Sequence, residues 1–346
     1  MKLNQKVHFY ITGGKNRLFN RAGHAEARES LIIQFAGLGD ACLLILVCRE
    51  LNSAHRPFDI LCAPELVPLW SHFFPNLAVA SLPAGEWRPR IIRKTLLPFD
   101  KPYRRVFTAS LHPYAAYIAS FFRSRSRIGM IESRYYKGSR WILNRLHHVA
   151  PDDHVISRYR GLLELPARPV ETGGRFPARH LKSRESILIH PGGKWKPRRW
   201  PASRYLELIQ ILVSREFTVR VLIHESEREL LDFFTPQASA DFQIAKTANI
   251  RDLLDEMENC GLFIGNDSGP VHLASLMNKP AVCLWGPGHY ERIHPVGPRT
   301  ITLISPVPCR PCRQYTPDCP EGTHACLEAI SVDDVLEAIE GMMKAN

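Results

Sequence analysis

At 346 residues and 45% hydrophobic content the chain can bury two ordinary domain cores, and nothing in its composition reads as fibrous or disordered throughout. Its formal charge of +11, from 45 Lys and Arg against 34 Asp and Glu, implies an acidic partner, for which nucleic acid, an anionic membrane and a phosphorylated glycolipid all qualify. No stretch reaches the roughly 18 uninterrupted apolar residues of a membrane span, and Lys2, Lys6, Lys15 and Arg17 stand among scattered apolar residues without a signal-peptide core, so a cytoplasmic location is expected.

Residues 1–29 read as a polar, basic extension with one strand pattern at Val7 to Ile11. Leu31 to Ile33 then form a strand that runs through Phe35-Ala36-Gly37-Leu38-Gly39-Asp40 into the apolar stretch Ala41 to Val47. Gly37 and Gly39 suit a tight strand-to-helix turn. Asp40 is either a helix cap or a functional carboxylate, which this short motif cannot decide alone. Further on, Asp59 to Cys62 predicts a strand, Ala115 to Phe122 a helix and Arg127 to Gly129 a short strand. Basic residues crowd this half, at Arg88, Arg90, Arg93, Lys94, Lys101, Arg104 and Arg105, and again from Arg123 through Arg125, Arg127, Arg134, Lys137 and Arg140 to Arg145. Trp87, Phe107, Tyr135, Tyr136 and Trp141 lie between them. Such aromatics either meet a membrane or a base, or simply pack on the domain, and no RNA-binding signature accompanies them. The Gly- and Pro-containing stretch Pro166 to Pro177 reads as a linker.

Beyond it the strand-helix rhythm resumes. Ile187 to Ile189 is an apolar strand, followed by His190-Pro191-Gly192-Gly193-Lys194-Trp195-Lys196-Pro197-Arg198-Arg199-Trp200-Pro201 and a helical pattern at Tyr205, Leu208, Ile209 and Leu212. Glycines let backbone approach a diphosphate, and Lys194, Lys196, Arg198 and Arg199 would neutralise it, although a solvated basic loop is the plainer reading. Val219 to Ile223 and Leu262 to Ile264 are strands, Leu253 to Met257 a helix, and Ala281 to Trp285 a strand. Between two of these lies Gly265-Asn266-Asp267-Ser268-Gly269-Pro270-Val271-His272-Leu273-Ala274, a strand that passes through a polar turn into a helix with Leu273, Ala274, Leu276 and Met277 on one face. N–H groups at such a helix start face an anion, and the turn residues offer capping oxygens. All these loops follow strands, where parallel sheets hold their ligands.

The nine cysteines divide in two. Cys42, Cys48, Cys62, Cys260 and Cys283 stand in apolar contexts and read as core residues. Cys309, Cys312, Cys319 and Cys326 share a proline-containing loop, 308–326, in a spacing that suits a structural zinc or iron; free thiols or a reversible disulfide are the alternatives.

Taken together, the three loops and their order resemble the lipopolysaccharide ADP-heptose heptosyltransferases of glycosyltransferase family 9, over about residues 30–340. The segment Gly265 to Ala274, with Pro280 and Leu284-Trp285-Gly286-Pro287 after it, is the most specific part. The resemblance implies an α/β protein of GT-B architecture, two Rossmann-like domains facing across a cleft, with metal-independent transfer. Asp40 falls on the family's catalytic base, with Gly37 and Gly39 in the acceptor loop. Asp267, Ser268, Gly269 and His272, flanked by Asn266 and Pro270, fall on the donor motif. Gly192, Gly193, Lys194, Lys196, Arg198 and Arg199 match its phosphate-binding loop, and Glu225 its nucleoside-contacting acid. Gln34, where a basic residue is usual, Ala36, Leu46 and the pair Gly192-Gly193 depart from the family pattern.

The division that follows is an extension at 1–29, an acceptor-binding domain at 30–165, a linker at 166–177, a nucleotide-sugar domain at 178–330 and a C-terminal helix at 331–346. The expected activity is inverting transfer of a sugar, a heptose from ADP-heptose by the resemblance, to a hydroxyl of a lipopolysaccharide-core or related saccharide, at the inner face of the membrane and without nucleic acid as partner. A hexosyltransferase or epimerase on the same architecture, or a silent glycolipid- or nucleic-acid-binding protein, is the alternative.

Overall fold

The computed structural model describes residues 28–83, 85–86, 88–99, 101–131, 141–170, 186–312 and 318–344. The strand pattern at 7–11, the basic positions Arg134, Lys137 and Arg140, the aromatics Trp87, Tyr135 and Tyr136, and the end of the linker stretch lie outside these residues. The chain forms two compact units, one running to Arg168 and one from Pro169 onward, with Leu38–Leu43 grouped with the second.

The first unit is built on β1 (Arg28–Gln34), β2 (Phe58–Cys62), β3 (Val79–Ser81), β4 (Tyr103–Thr108), β5 (Ser124–Ile131) and β6 (Arg145–His148), in the spatial order β3-β2-β1-β4-β5-β6. The second uses β7 (Ser186–His190), β8 (Thr218–His224), β9 (Phe242–Thr247), β10 (Leu262–Asn266), β11 (Ala281–Trp285) and β12 (Thr300–Ile304), in the order β12-β11-β10-β7-β8-β9. Every pairing in both sheets is parallel. Counted within its own sheet, each unit therefore has the order 3-2-1-4-5-6 of a Rossmann fold, whose strand order reverses between the first and fourth strands.

The reason is written in the strands. β2 and β11 are buried at every position, which is how a parallel strand covered by helices on both faces must read. The helix Ala202–Ser214 turns Tyr205, Leu208, Ile209 and Leu212 inward on a single stripe, as the spacing predicts. The helix Val332–Lys344 closes the same core with Val335, Leu336, Ile339 and Met342. The helix Ile250–Asn259 starts at a capping box between Asn249 and Asp252.

Two expectations change. The helix Gly269–Leu276 is not amphipathic: Val271 to Leu276 are all buried, and Met277 has already left the helix as its C-cap. Much of the basic crowd in the first unit is also structural. β4 runs through Arg104 and Arg105, Arg105 and Arg145 both pair with Glu164 at 3.4 and 2.6 Å, and Arg127 donates to the carbonyls of Ala119 and Phe122. Phe107 is core, whereas Trp141 is 82% exposed. Among the described residues no helix is long and apolar enough to cross a membrane.

Candidate functional site

β7 and β10 are neighbours in register, with Gly265 opposite His190, so the basic loop and the polar turn leave adjacent strands at the point where the strand order of the second sheet reverses. The two motifs, some 70 positions apart in sequence, are thereby brought together.

Asn266 joins them. Its Nδ2 donates to the carbonyls of Pro191 and Gly192 at 2.9 and 3.0 Å, and its Oδ1 accepts from the Trp200 N–H and the Tyr205 hydroxyl, both at 2.9 Å. A carboxamide has two donor hydrogens and two acceptor lone pairs, and all four are spent here, inside the protein. Asn266, expected at the ligand, is thus the clamp that holds both ends of the basic loop. Trp200 is fixed further by its Nε1 donating to the Ile330 carbonyl at 2.9 Å and by an edge-on contact with Tyr205.

The four cations of the loop have different surroundings. Lys194 is exposed, and Lys196 reaches Glu229 at 3.2 Å on the surface. Arg199 is turned inward, donating from Nε and Nη2 to the Gly193 carbonyl at 2.9 and 2.7 Å and lying 3.5 Å from Glu227. Arg198 lies over the Trp195 ring, with Nε 3.4 Å from Asp267 Oδ2, yet neither of those atoms has a hydrogen-bond partner. Asp267 is 2% exposed. Burial pushes its carboxyl up to about 6, against the pull of Arg198 and Arg310. The two are thus an ion pair without a hydrogen bond, and both atoms keep unused hydrogen-bonding capacity.

Ser268, at the head of the helix Gly269–Leu276, caps nothing; its hydroxyl lies 3.3 Å from His190 Nδ1. Burial lowers His190 to about 4, with Glu227 opposing and Arg199 reinforcing that shift, so the ring is neutral at pH 7. Pro270 has no N–H and the Val271 N–H turns back to the Ser268 carbonyl at 3.2 Å, which leaves the N–H groups of Ser268 and Gly269 for an anion. His272 is buried within this helix.

Glu225 is exposed at the end of β8, its backbone N–H bonded to the Thr247 carbonyl. Two residues on, Glu227 faces the loop: Oε1 accepts from the Gly193 N–H and Oε2 from the His224 N–H, both at 3.1 Å. It lies so close that a side chain at Gly192 would strike its carboxylate. The alternation of β8 does not reveal this acid, because it stands in the turn beyond the strand. Asp40 is half-buried in the first turn of the helix Leu38–Ser53, which begins at Gly37 without a side-chain cap.

The cysteine cluster is not gathered as a ligand set. Cys309 is exposed, Cys312 and Cys319 are half-buried and Cys326 is turned into the core. Among the described residues no three His, Cys, Asp or Glu side chains converge as ligands for a metal ion. Burial would raise the Cys319 thiol, but the backbone N–H groups of His324, Glu321, Thr323 and Gly322 turned toward it bring it below its ordinary value. The five cysteines read as core are all buried, and burial raises their thiols.

A model of glycosyltransferase family 9 (heptosyltransferase) matches residues 99–321. The lipooligosaccharide heptosyltransferase 2 of Haemophilus influenzae is 26% identical over 206 residues, 56% of this chain and 58% of that protein. The lipopolysaccharide heptosyltransferase 2 of Salmonella typhimurium is 27% identical over 345 residues, 90% of this chain and 98% of that protein. The chain spans about half the length of the first curated relatives it matches. Among solved structures, the Escherichia coli ADP-heptose lps heptosyltransferase II superposes with a TM-score of 0.72 at 18% identity, covering 91% of this chain and 98% of that one. The two parallel sheets are thus those of a GT-B fold.

Two outcomes test this geometry. Asn266→Ala takes the partner from two carbonyls and an N–H and leaves the Tyr205 hydroxyl only its 3.5 Å contact with the His190 carbonyl, and should cost about 3 kcal/mol or more in urea unfolding; a variant within about 1 kcal/mol of the parent would remove the clamp from consideration. Asp267, raised from 3.8 to about 6, contributes stability that is complete below pH 3.8 and lost as pH rises through about 6. Asp267→Asn should abolish that loss, so its melting temperature relative to the parent should climb between pH 4 and pH 7, and a difference that stays flat with pH would contradict the assignment.

Proposed function

The chain belongs to glycosyltransferase family 9, and from that premise we propose that it is an inverting glycosyltransferase that moves a heptose from ADP-heptose to a hydroxyl of a lipopolysaccharide-core acceptor. The observation that carries the donor half is the meeting of a cationic loop and a helix start on the adjacent strands β7 and β10. A diphosphate needs positive charge and N–H donors converging on it. Arg198, Lys194 and the N–H groups of Ser268 and Gly269 supply both, while Asn266, Glu227, Arg199 and His190 hold them in position.

In this reading the acceptor hydroxyl attacks the anomeric carbon as the bond to the diphosphate oxygen breaks on the opposite face, which inverts the configuration. The hydroxyl becomes acidic only as the new bond forms. Asp40, in the loop that follows β1, takes its proton at that stage, a contribution of about 10²–10⁴-fold for a positioned base. The charge left on the diphosphate is met by Arg198 and the helix start, and Asp267, whose Oδ2 accepts no hydrogen bond within the protein, accepts one from a hydroxyl of the donor sugar. Acceptor binding belongs to residues 30–165 and donor binding to 178–330. Exposed basic side chains such as Arg90, Arg93 and Lys94 suit an anionic glycolipid at the inner face of a membrane, where the enzyme works from the cytoplasm.

Mass spectrometry of products from a panel of nucleotide sugars, each offered with lipid A–core acceptors, tests the reaction as a whole. Transfer of heptose from the ADP sugar is expected, and no glycosylated product with any donor would leave only a binding protein. Asp40→Asn should lower turnover by about two orders of magnitude or more while ADP binding stays near that of the parent, because a base acts in the transition state; near-normal turnover would displace Asp40 from this role. Arg198→Ala should weaken ADP binding about tenfold or more, as loss of a charge-assisted contact does, and the deficit should shrink in high salt. Unchanged affinity would make the basic loop a solvated surface.

A further inference from the structure

After β3 the chain forms a short helix, Pro89–Leu96, that runs on into the 3₁₀ turn Leu97–Phe99. Its inner face is ordinary: Ile92, Leu96 and Phe99 are buried in the core of the first unit together with Leu82, Tyr117 and Ile118. The outer face is not. Ile91 is 37% and Leu97 63% exposed, and Arg90, Arg93 and Lys94 are exposed beside them. At about 3.6 residues per turn these five positions fall on one side, and Ile92 and Leu96 on the other. No Asp or Glu occurs from Arg88 to Phe99. Arg88 is paired with Glu86 at 2.6 Å and Arg93 lies 6.0 Å from the Phe121 ring centroid, while Arg90 and Lys94 have no acidic partner among the described residues.

Cations in the last turn of a helix meet the negative end of its dipole, and Arg93 and Lys94 stand there. That accounts for two charges and for neither apolar side chain. Single apolar residues on a surface need no explanation, but here two of them stand among three cations on one face. A second copy of the chain is a poor partner for that face, because it would bring the same cations against each other in a protein of net charge +11. An anionic bilayer suits both features. Its phosphates lie at the depth of Arg90, Arg93 and Lys94, and its acyl boundary lies just below, within reach of Ile91 and Leu97.

We propose that the outer face of residues 89–97 docks the protein on an anionic lipid bilayer, with Ile91 and Leu97 entering the acyl boundary and Arg90, Arg93 and Lys94 lying among the headgroups. The partner is bulk lipid, so docking needs no acceptor. The helix is also tied to the loop that follows β1. Both β1 and β3 pair in parallel with β2, so the loops that leave them open at the same edge of the sheet. Tyr114 joins the two: its hydroxyl reaches the carbonyls of Pro83 and Glu86, both at 3.1 Å, in the turn before the helix, and its ring centroid is 4.8 Å from that of Phe35. The use of docking rests on the function proposed above, since an acceptor with its acyl chains in that bilayer would meet a loop already held in fixed relation to the surface.

The test is co-sedimentation of the full chain with vesicles that hold no saccharide acceptor, made of phosphatidylcholine alone or mixed with phosphatidylglycerol. The parent should bind the anionic vesicles about tenfold or more tightly than the neutral ones and lose that preference in high salt. Leu97→Ser should weaken binding about fivefold or more, and Ile91→Ser with Leu97→Ser about tenfold or more, at unchanged charge. Arg90→Gln with Lys94→Gln should weaken it by a similar factor and flatten its salt dependence. Phe233→Ser, at an exposed apolar position of the second unit, should bind as the parent does. Equal binding to both kinds of vesicle, binding to neither, or serine variants that bind like the parent would each overturn the proposal, the last because charge alone would then hold the protein. Binding that appears only when core glycolipid is added would overturn it too, by assigning the face to the acceptor. Should the double serine variant fail to fold, Leu97→Ser decides alone, at a position 63% exposed. Transfer to an acceptor stripped of its acyl chains separates this inference from the proposed function: the serine pair should stay within about twofold of the parent there and fall well below it on vesicle-borne acceptor. An equal loss on both acceptors would mark a structural role and overturn the docking. A parent that transfers to neither acceptor removes the enzymatic reading and leaves the vesicle measurement to decide this one.

Discussion

The site in the second unit depends on one carboxamide. Asn266 is the last residue of β10, and its four hydrogen bonds reach Pro191 and Gly192 where the basic loop begins and Trp200 where it ends, with Tyr205 just beyond. Fixing a loop costs about 1–2 kcal/mol of conformational entropy per residue, a cost that weakens binding if it falls due only when the ligand arrives. Here it is met during folding, by a side chain that belongs to the opposite motif. The cationic loop and the helix start are then one rigid body, and neither can be positioned without the other.

Within that body, charge is distributed unevenly. Arg199 is fully engaged with Gly193 and Glu227, and serves the shape of the loop. Arg198 and Asp267 form an ion pair at 3.4 Å without a hydrogen bond, although the carboxylate is 2% exposed. A buried pair held without a hydrogen bond keeps polar capacity on both side chains, which the proposed function assigns to the donor. His190 adds to the same economy, since a neutral ring beside Ser268 places a hydrogen bond there without bringing another charge to the carboxylate.

How much of this could be read from the sequence depended on whether a residue's role is set by its neighbours along the chain or across the fold. The short apolar run Ala281 to Trp285, bounded by Pro280 and by Gly286-Pro287, reads as a strand, and that strand is found at those bounds. β4 was concealed because Tyr103-Arg104-Arg105-Val106 reads as part of a basic surface, and only the distant Glu164 explains Arg105. The motif residues were visible, but their tasks were not. Asn266 looks like a ligand contact until Pro191 and Trp200 are seen to use all of its polar atoms. Glu225 was matched to the nucleoside-contacting acid by the resemblance, while Glu227, which no motif singled out, lies against the glycines because of where the turn after β8 points. Arg310, flanked by cysteines, offered no sign of its inward course, which is set by the carbonyls of Gly286 and Ser305.

The two units share one strand order, yet the loops at their reversal points differ in kind. After β7 come two glycines and four cations; after β1 come Phe35 to Asp40, with two glycines, one carboxylate and no cation. Beneath that second loop Gln34 is fully buried with both amide atoms unpartnered. A loop without positive charge cannot compensate a diphosphate, and neighbouring cations lower the basicity of a carboxylate that must take a proton. The same architecture thus arrives at two loops of opposite electrostatic character, one fitted to charge that leaves with a phosphate and the other to a proton that leaves a neutral hydroxyl. Under the proposed function this is the division between donor and acceptor. It follows from the chemistry of the loops and not from the fold, since the fold repeats and the loops do not.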